Sequence, residues 1–160
     1  MRILFILIAI LACYDSALAC SCKDSTTTEL YSGANHVFRA RIESVGIVVL
    51  PKHVESFRLD KTAVLARFDL LETYKGSPQL LDAIYTDPYG SSCGLTIVDA
   101  EEYIFFADAN GIVGLCDGST RVWSIESISE LIKTLKRFAS EQLDHAKAAG
   151  VEDALRRDSE

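Results

Sequence analysis

The stretch His36-Val37-Phe38-Arg39-Ala40-Arg41-Ile42, continued by Glu43-Ser44-Val45-Gly46-Ile47-Val48-Val49 as far as Pro51, decides the fold. Phe38, Ala40 and Ile42 alternate with Arg39 and Arg41, so one face is apolar and the other charged, which is the period-two pattern of a half-buried strand. The β-branched run that follows lengthens the strand, and Gly46 predicts a bend or bulge within it. Residues 62–74 repeat the alternation, with Val64, Ala66, Phe68 and Leu70 opposing Leu65, Arg67 and Asp69, and Lys75-Gly76-Ser77-Pro78 ends it with turn chemistry. Residues 81–86 and 103–107 read as two further strands. Asp108-Ala109-Asn110-Gly111 then reads as a hairpin turn into a fifth strand at 112–116. No helix-length crossover separates these runs, so the pattern predicts a mainly β, small closed or nearly closed barrel rather than a parallel sheet.

Outside this core, residues 25–31 suit a short helix or an irregular segment, and Ser32-Gly33-Ala34-Asn35 is a turn. Ser127 with Glu130 three places on forms a capping-box pattern, and Ile128, Leu131, Ile132, Leu135 and Phe138 recur at helical spacing. One amphipathic helix is therefore expected against the barrel. The domain is placed at residues 20–140, and residues 141–160 are a helical end and a charged tail that frays past Gly150.

The chain has 160 residues, 49% hydrophobic and 24% charged, within the ordinary globular range. Its 16 Lys and Arg against 23 Asp and Glu give a formal charge of −7, which argues against nucleic acid or an anionic lipid surface as partner. Met1-Arg2, the apolar run at 3–11 and Ala17-Leu18-Ala19 form the pattern of a secretory signal peptide over residues 1–19, cleaved before Cys20. No later run approaches the roughly 20 apolar residues of a membrane span. A lipoprotein signal also ends before a cysteine, but Ala17 stands where an aliphatic residue is usual. Export places the chain outside the cell, or in the periplasm of a bacterium.

Removing the leader removes Cys13 and leaves Cys20, Cys22, Cys93 and Cys116, an even set that reads as a disulfide framework. A Cys20–Cys22 bridge would close a strained ring, so two long-range pairings remain, and both tie the N-terminus to the second half of the chain. A four-thiolate zinc site would need paired CxxC spacing, which is absent.

Gly90-Ser91-Ser92-Cys93-Gly94 satisfies the GxSxG pattern of a hydrolase nucleophile elbow, but the strand-like residues 95–106 follow it where that elbow needs a helix. His36, His53 and His145 are scattered and read as surface residues. Glu101 and Glu102 are strand neighbours that point to opposite faces and do not form an acid–base pair. No residue set asks for an enzyme.

The N-terminus is the unusual feature. A free α-amino group on Cys20 has an ordinary pKa of about 7.7–8.0, so a metal can displace its proton near neutral pH. With the carbonyl oxygen of the same residue it makes a five-membered chelate, suited to the open position of a catalytic zinc held by three ligands of another protein. Bridges from Cys20 and Cys22 would hold that chelate still and lower the ordering cost of binding.

Cys20-Ser21-Cys22, Asn35-His36-Val37-Phe38-Arg39-Ala40-Arg41-Ile42, Glu72-Thr73-Tyr74-Lys75-Gly76, Ser92-Cys93-Gly94 and Cys116 together resemble the tissue inhibitors of metalloproteinases and their netrin-like module. The likeness runs from Cys20 to about Arg137. It implies an OB-fold-like five-stranded β-barrel with flanking α-helices, and it selects Cys20 with Cys93 and Cys22 with Cys116. It further implies a secreted monomeric inhibitor of zinc metalloendopeptidases with no cofactor of its own, sharing the zinc of its target protease. Cys20 would ligate that zinc and Ser21 would enter the primed specificity pocket. Ser91, Ser92 and Cys93 would lie beside it, and Lys23 and Asp24 would extend the inhibitory ridge. The sequence lacks the cysteines of the family's third disulfide and of its C-terminal subdomain, so it resembles single-module, bacterial-type relatives. The rival expectation is a non-inhibitory netrin-like or OB-like binding module, lipid-anchored through Cys20.

Overall fold

The alternation that begins at His36 folds as strand β1 (His36–Val49). It pairs antiparallel with β2 (Thr62–Lys75), from Val37 opposite Lys75 to Val49 opposite Thr62. The structure is a computed structural model and describes residues 21–50, 62–88 and 93–157, with the side chains of residues 146 and 148–157 excepted. β3 (Ile84–Thr86) adds to β2, β4 (Glu102–Ala107) adds to the other side of β1, and β5 (Thr120–Arg121) adds to β4. All four ladders are antiparallel, and the sheet order is β3-β2-β1-β4-β5. Among the described residues two helices complete the mainly β fold, α1 (Thr27–Gly33) and α2 (Ser129–Arg157).

Both faces of the central strands are covered. Phe38, Ala40 and Ile42 of β1 meet Tyr103, Phe105 and Ala107 of β4 on one face, closed over by Ile84, Ile97 and Val113. On the other face Val37, Tyr74, Ile104 and Phe106 pack beneath Tyr31 of α1 and beneath Ile132 and Leu135 of α2, with Ile128 just before α2. Leu135 is fully buried, a position worth about 1.5–3 kcal/mol in transfer free energy. The helical spacing seen from Ile128 to Phe138 therefore marks a true sheet-covering stripe.

Several local expectations are corrected. The bulge in β1 falls at Glu43, between Ile42 opposite Phe68 and Ser44 opposite Arg67, while the register runs unbroken through Gly46. Residues 81–86 are strand only at Ile84–Thr86, because Pro78–Leu80 forms a 3-10 turn just before. Residues 112–116 form no ladder. Gly111 and Gly118 take positive φ, and the Asp117 carboxylate accepts the Gly114 N–H at 2.8 Å, so the backbone turns away from a sheet. That segment contributes one parallel bridge, Tyr85 with Ile112, and the fifth strand is Thr120–Arg121 instead. The ladders therefore leave the sheet open, with a single bridge where a barrel would close.

The Ser127–Glu130 box is replaced by a turn over residues 125–128, in which the Ser127 hydroxyl donates to the Ser124 carbonyl at 2.8 Å. α2 starts after it and continues through Gly150 to Arg157. A capping box does form at α1. The Thr26 hydroxyl accepts the Glu29 N–H and the Glu29 carboxylate accepts the Thr26 N–H at 2.7 Å.

Gly76 turns the chain after β2 with φ +73°, and a Cβ there would overlap the Asn35 carbonyl oxygen and lie 2.6 Å from His36 Nδ1. Gly76→Ala is expected to cost about 1–3 kcal/mol, whereas Gly46→Ala, which meets nothing within 4 Å, should be neutral or mildly stabilising. Urea unfolding of both variants checks this, and equal midpoints would contradict it.

Half-buried His36 accepts the Ser77 N–H on Nδ1 at 3.1 Å, so it is not the bland surface residue expected. Burial holds it below the ordinary histidine value, partly offset by the Asp108 carboxylate. The unfolded chain therefore binds the extra proton first, and the contribution of His36, complete above pH about 6.5, is lost as pH falls through the lowered folded value. The urea midpoint should drop between pH 7 and pH 5. His36→Asn, whose amide oxygen can accept the same N–H without titrating, should flatten that drop.

Candidate functional site

Cys22 bonds to Cys116 with 5.1 Å between the Cα atoms, across a sequence separation of 94. Cys116 belongs to the turn after the Tyr85–Ile112 bridge, and the Leu115 N–H donates to the Cys93 carbonyl oxygen at 2.9 Å. Cys22, Cys93 and Cys116, remote in sequence, thus meet in one place. Cys93 is itself disulfide-bonded. Its expected partner Cys20 lies outside the described residues, as do Ser91, Ser92 and His53.

Two neighbouring loops carry this junction. Buried Thr86, at the end of β3, accepts the Leu95 N–H on its hydroxyl at 2.9 Å, which fastens the two ends of the loop bearing Cys93. Tyr85 donates its N–H to the Gly111 carbonyl at 2.9 Å and accepts the Val113 N–H at 2.8 Å, which fixes the path into Cys116. Gly111 allows this approach, because a Cβ there would stand 2.5 Å from the Ala83 carbonyl oxygen. Nothing in the sequence marks Thr86 for this task, since a threonine in a strand reads as an ordinary β-former.

The N-terminal segment crosses the junction as a short tether. Ser21, Cys22, Lys23 and Asp24 are exposed. The disulfide holds the segment at Cys22 and the α1 capping box holds it again at Thr26. The Glu29 carboxyl is kept below its usual range by the hydrogen bonds from the Thr26 backbone and side chain. Leu30 of α1 presses on Gly118, where a Cβ would stand 2.7 Å from its Cδ1, so the helix is seated against the turn that carries Cys116. Beneath α1 lies a cleft of about 220 Å³ lined by Ser25, Glu29, Leu30, Phe106, Asp108 and Asp117.

Several other charged groups pair with one another across the sheet and with α2. Glu102 pairs with Arg41 at 2.6 Å and with Arg39 at 3.8 Å, whereas its neighbour Glu101 pairs with Arg121. The two carboxylates therefore serve different partners. Burial works against ionisation of Glu72, but hydrogen bonds from Tyr74 and Lys136 and the charges of Lys136 and Arg39 outweigh it and hold its carboxyl low. Burial and the Glu72 carboxylate push the Tyr74 hydroxyl far up. His36 sits at the start of β1 and His145 is exposed on α2. Among the described residues no three His, Cys, Asp or Glu side chains gather as metal ligands, and no helix is long and apolar enough to cross a membrane.

Replacing Cys22 and Cys116 together by Ser is expected to cost about 2–5 kcal/mol. Hydrogen exchange at residues 22–25 should accelerate more than in the sheet. Unchanged exchange there would show that the capping box alone immobilises the tether.

Neither a scan against protein-family models nor a search of curated proteins finds a match to this chain.

Proposed function

We propose that this chain is a secreted, monomeric inhibitor of zinc metalloendopeptidases, in which Cys20 is the first residue after removal of residues 1–19. Its α-amino and carbonyl groups ligate the catalytic zinc of the protease and displace the water bound there. One observation carries the reading. Cys22, two residues from the ligating group, is covalently tied to a turn that also holds the backbone of Cys93.

Chain termini are ordinarily mobile, and holding one still lowers the entropy lost when it enters another protein's cleft. Ser21 is exposed beside the tie and enters the primed pocket of the protease, which its small side chain fills poorly. Exposed Lys23, Asp24 and Cys93 complete the ridge, to which the resemblance adds Ser91 and Ser92, outside the described residues. The zinc belongs to the target, so the inhibitor needs no cofactor.

The sheet lends support to the netrin-like, OB-type reading. Such a barrel needs β3 to approach, in parallel, the segment that follows β4, and the Tyr85–Ile112 bridge has that sense and position. The acidic net charge disfavours nucleic acid as a partner.

An extra Ala placed before Cys20 tests the chelate. Inhibition should fall by about 30-fold or more, the equivalent of losing a central binding group, with the unfolding midpoint unchanged. Undiminished inhibition would overturn the chelate mechanism, whereas no inhibition of any metalloendopeptidase by the chain without the extra Ala would leave a non-inhibitory, lipid-anchored binding module as the better reading. Ser21→Leu should reorder affinities across a panel of metalloendopeptidases, and an unaltered ranking would remove Ser21 from the primed pocket.

A further inference from the structure

β1 is paired on both sides only as far as Ile42. Its ladder with β4 ends at Arg41 opposite Glu102, and is extended by Ile42 N–H donating to the Glu101 carbonyl at 2.9 Å and Ala100 N–H donating to the Ile42 carbonyl at 3.0 Å. Ala100 has φ +62°, and no ladder with β1 continues through residues 96–99. Beyond it, among the described residues, residues 44–49 pair with β2 alone. They border a groove of about 410 Å³ lined by Val45, Ile47, Thr96, Val98 and Asp99.

Past the bulge at Glu43, this edge lacks the usual protection. Residues 43–49 contain no Pro or Lys, and Ile47 and Val49 are 67% and 76% exposed. Gly46 sits in an unbulged stretch where a Cβ would meet nothing, so neither backbone conformation nor space requires a glycine. A glycine inside a strand weakens it, and one remaining reason for it is close approach by another backbone. Exposed Asp99 lines the groove and exposed Glu43 follows Ile42, which pairs with Ala100, so both carboxylates stand at one end of the edge, and neither pairs with a cation among the described residues.

We propose that residues 43–49 bind an extended peptide as an added strand, with β-branched side chains over Ile47 and Val98 and Lys or Arg at the end facing Glu43 and Asp99. Charge selects this occupant over a second copy of the chain. Two copies meeting here would offer no cation from residues 43–49 or 96–99 to either pair of carboxylates, on molecules of formal charge −7 each. The groove shares no residue with the N-terminal ridge, so the proposal stands apart from zinc ligation.

Titrating the full chain with the probe Lys-Val-Thr-Val-Thr-Val-Lys, followed by backbone-amide NMR, tests it. Saturable shifts confined to residues 43–49 and 96–99 are expected, with slowed amide exchange in 43–49. Ile47→Lys, at an exposed position, should keep the thermal midpoint and weaken the probe by about tenfold or more. N-methylation of alternate probe amides should abolish binding. Absence of saturable shifts, equal binding of the N-methylated probe, or a dimer in sedimentation with residues 43–49 already protected would each overturn the proposal, the last by naming a second copy as the occupant.

Discussion

A covalent bond between Cys22 and Cys116 joins the front of the described chain to a turn 94 residues away. In the chain-entropy view, closing a loop of that length removes roughly 4–5 kcal/mol of freedom from the unfolded chain. Its local effect matters more for function. From Cys22 to Thr26 the backbone is held at both ends, by sulfur on one side and by the Thr26–Glu29 box on the other. The turn it is fixed to is itself held, through Leu115 to Cys93 and through Gly118 against Leu30. A segment with little buried surface of its own thereby acquires the rigidity of the sheet.

The sheet can lend that rigidity because both faces of β4 and of the first half of β1 are buried, one against Ile84, Ile97 and Val113, the other against the helices. Loops at the end of β3 and beyond β4 are then positioned by few bonds. Thr86 and Tyr85 supply most of them. Among the described residues, the same architecture leaves the far half of β1 with β2 alone, its ladder with β4 ending where Ala100 takes positive φ. Ridge and groove occupy different parts of the sheet, and one can be altered without the other.

Much of this was legible in the residues. β1 and β2 announce themselves because alternation and β-branched side chains coincide over 14 residues each. The stripe from Ile128 to Phe138 marks the buried face of α2 in the same way. Where reading failed, the deciding interaction was non-local or competed with a local pattern. The bulge lies at Glu43 because bulge position depends on the register of two strands, which Gly46 alone does not encode. Residues 112–116 have strand composition, yet Asp117 takes the Gly114 N–H that a ladder would need. Thr120–Arg121 is too short to show a period, and the positive φ of Ala100 has no signal in an alanine. At the site, cysteine count and spacing pointed to a tied N-terminus, and the resemblance chose Cys22 with Cys116. Thr86 and the Leu30–Gly118 contact emerge only from the assembled fold.

The proposed chelate requires an uncapped amine at Cys20, held by sulfur on either side of Ser21. Intact-mass analysis of the protein produced with its own leader measures this directly. The account predicts the mass of residues 20–160 less four hydrogens, for two disulfides and a free N-terminus. A fatty acyl addition, or residues remaining ahead of Cys20, would contradict it.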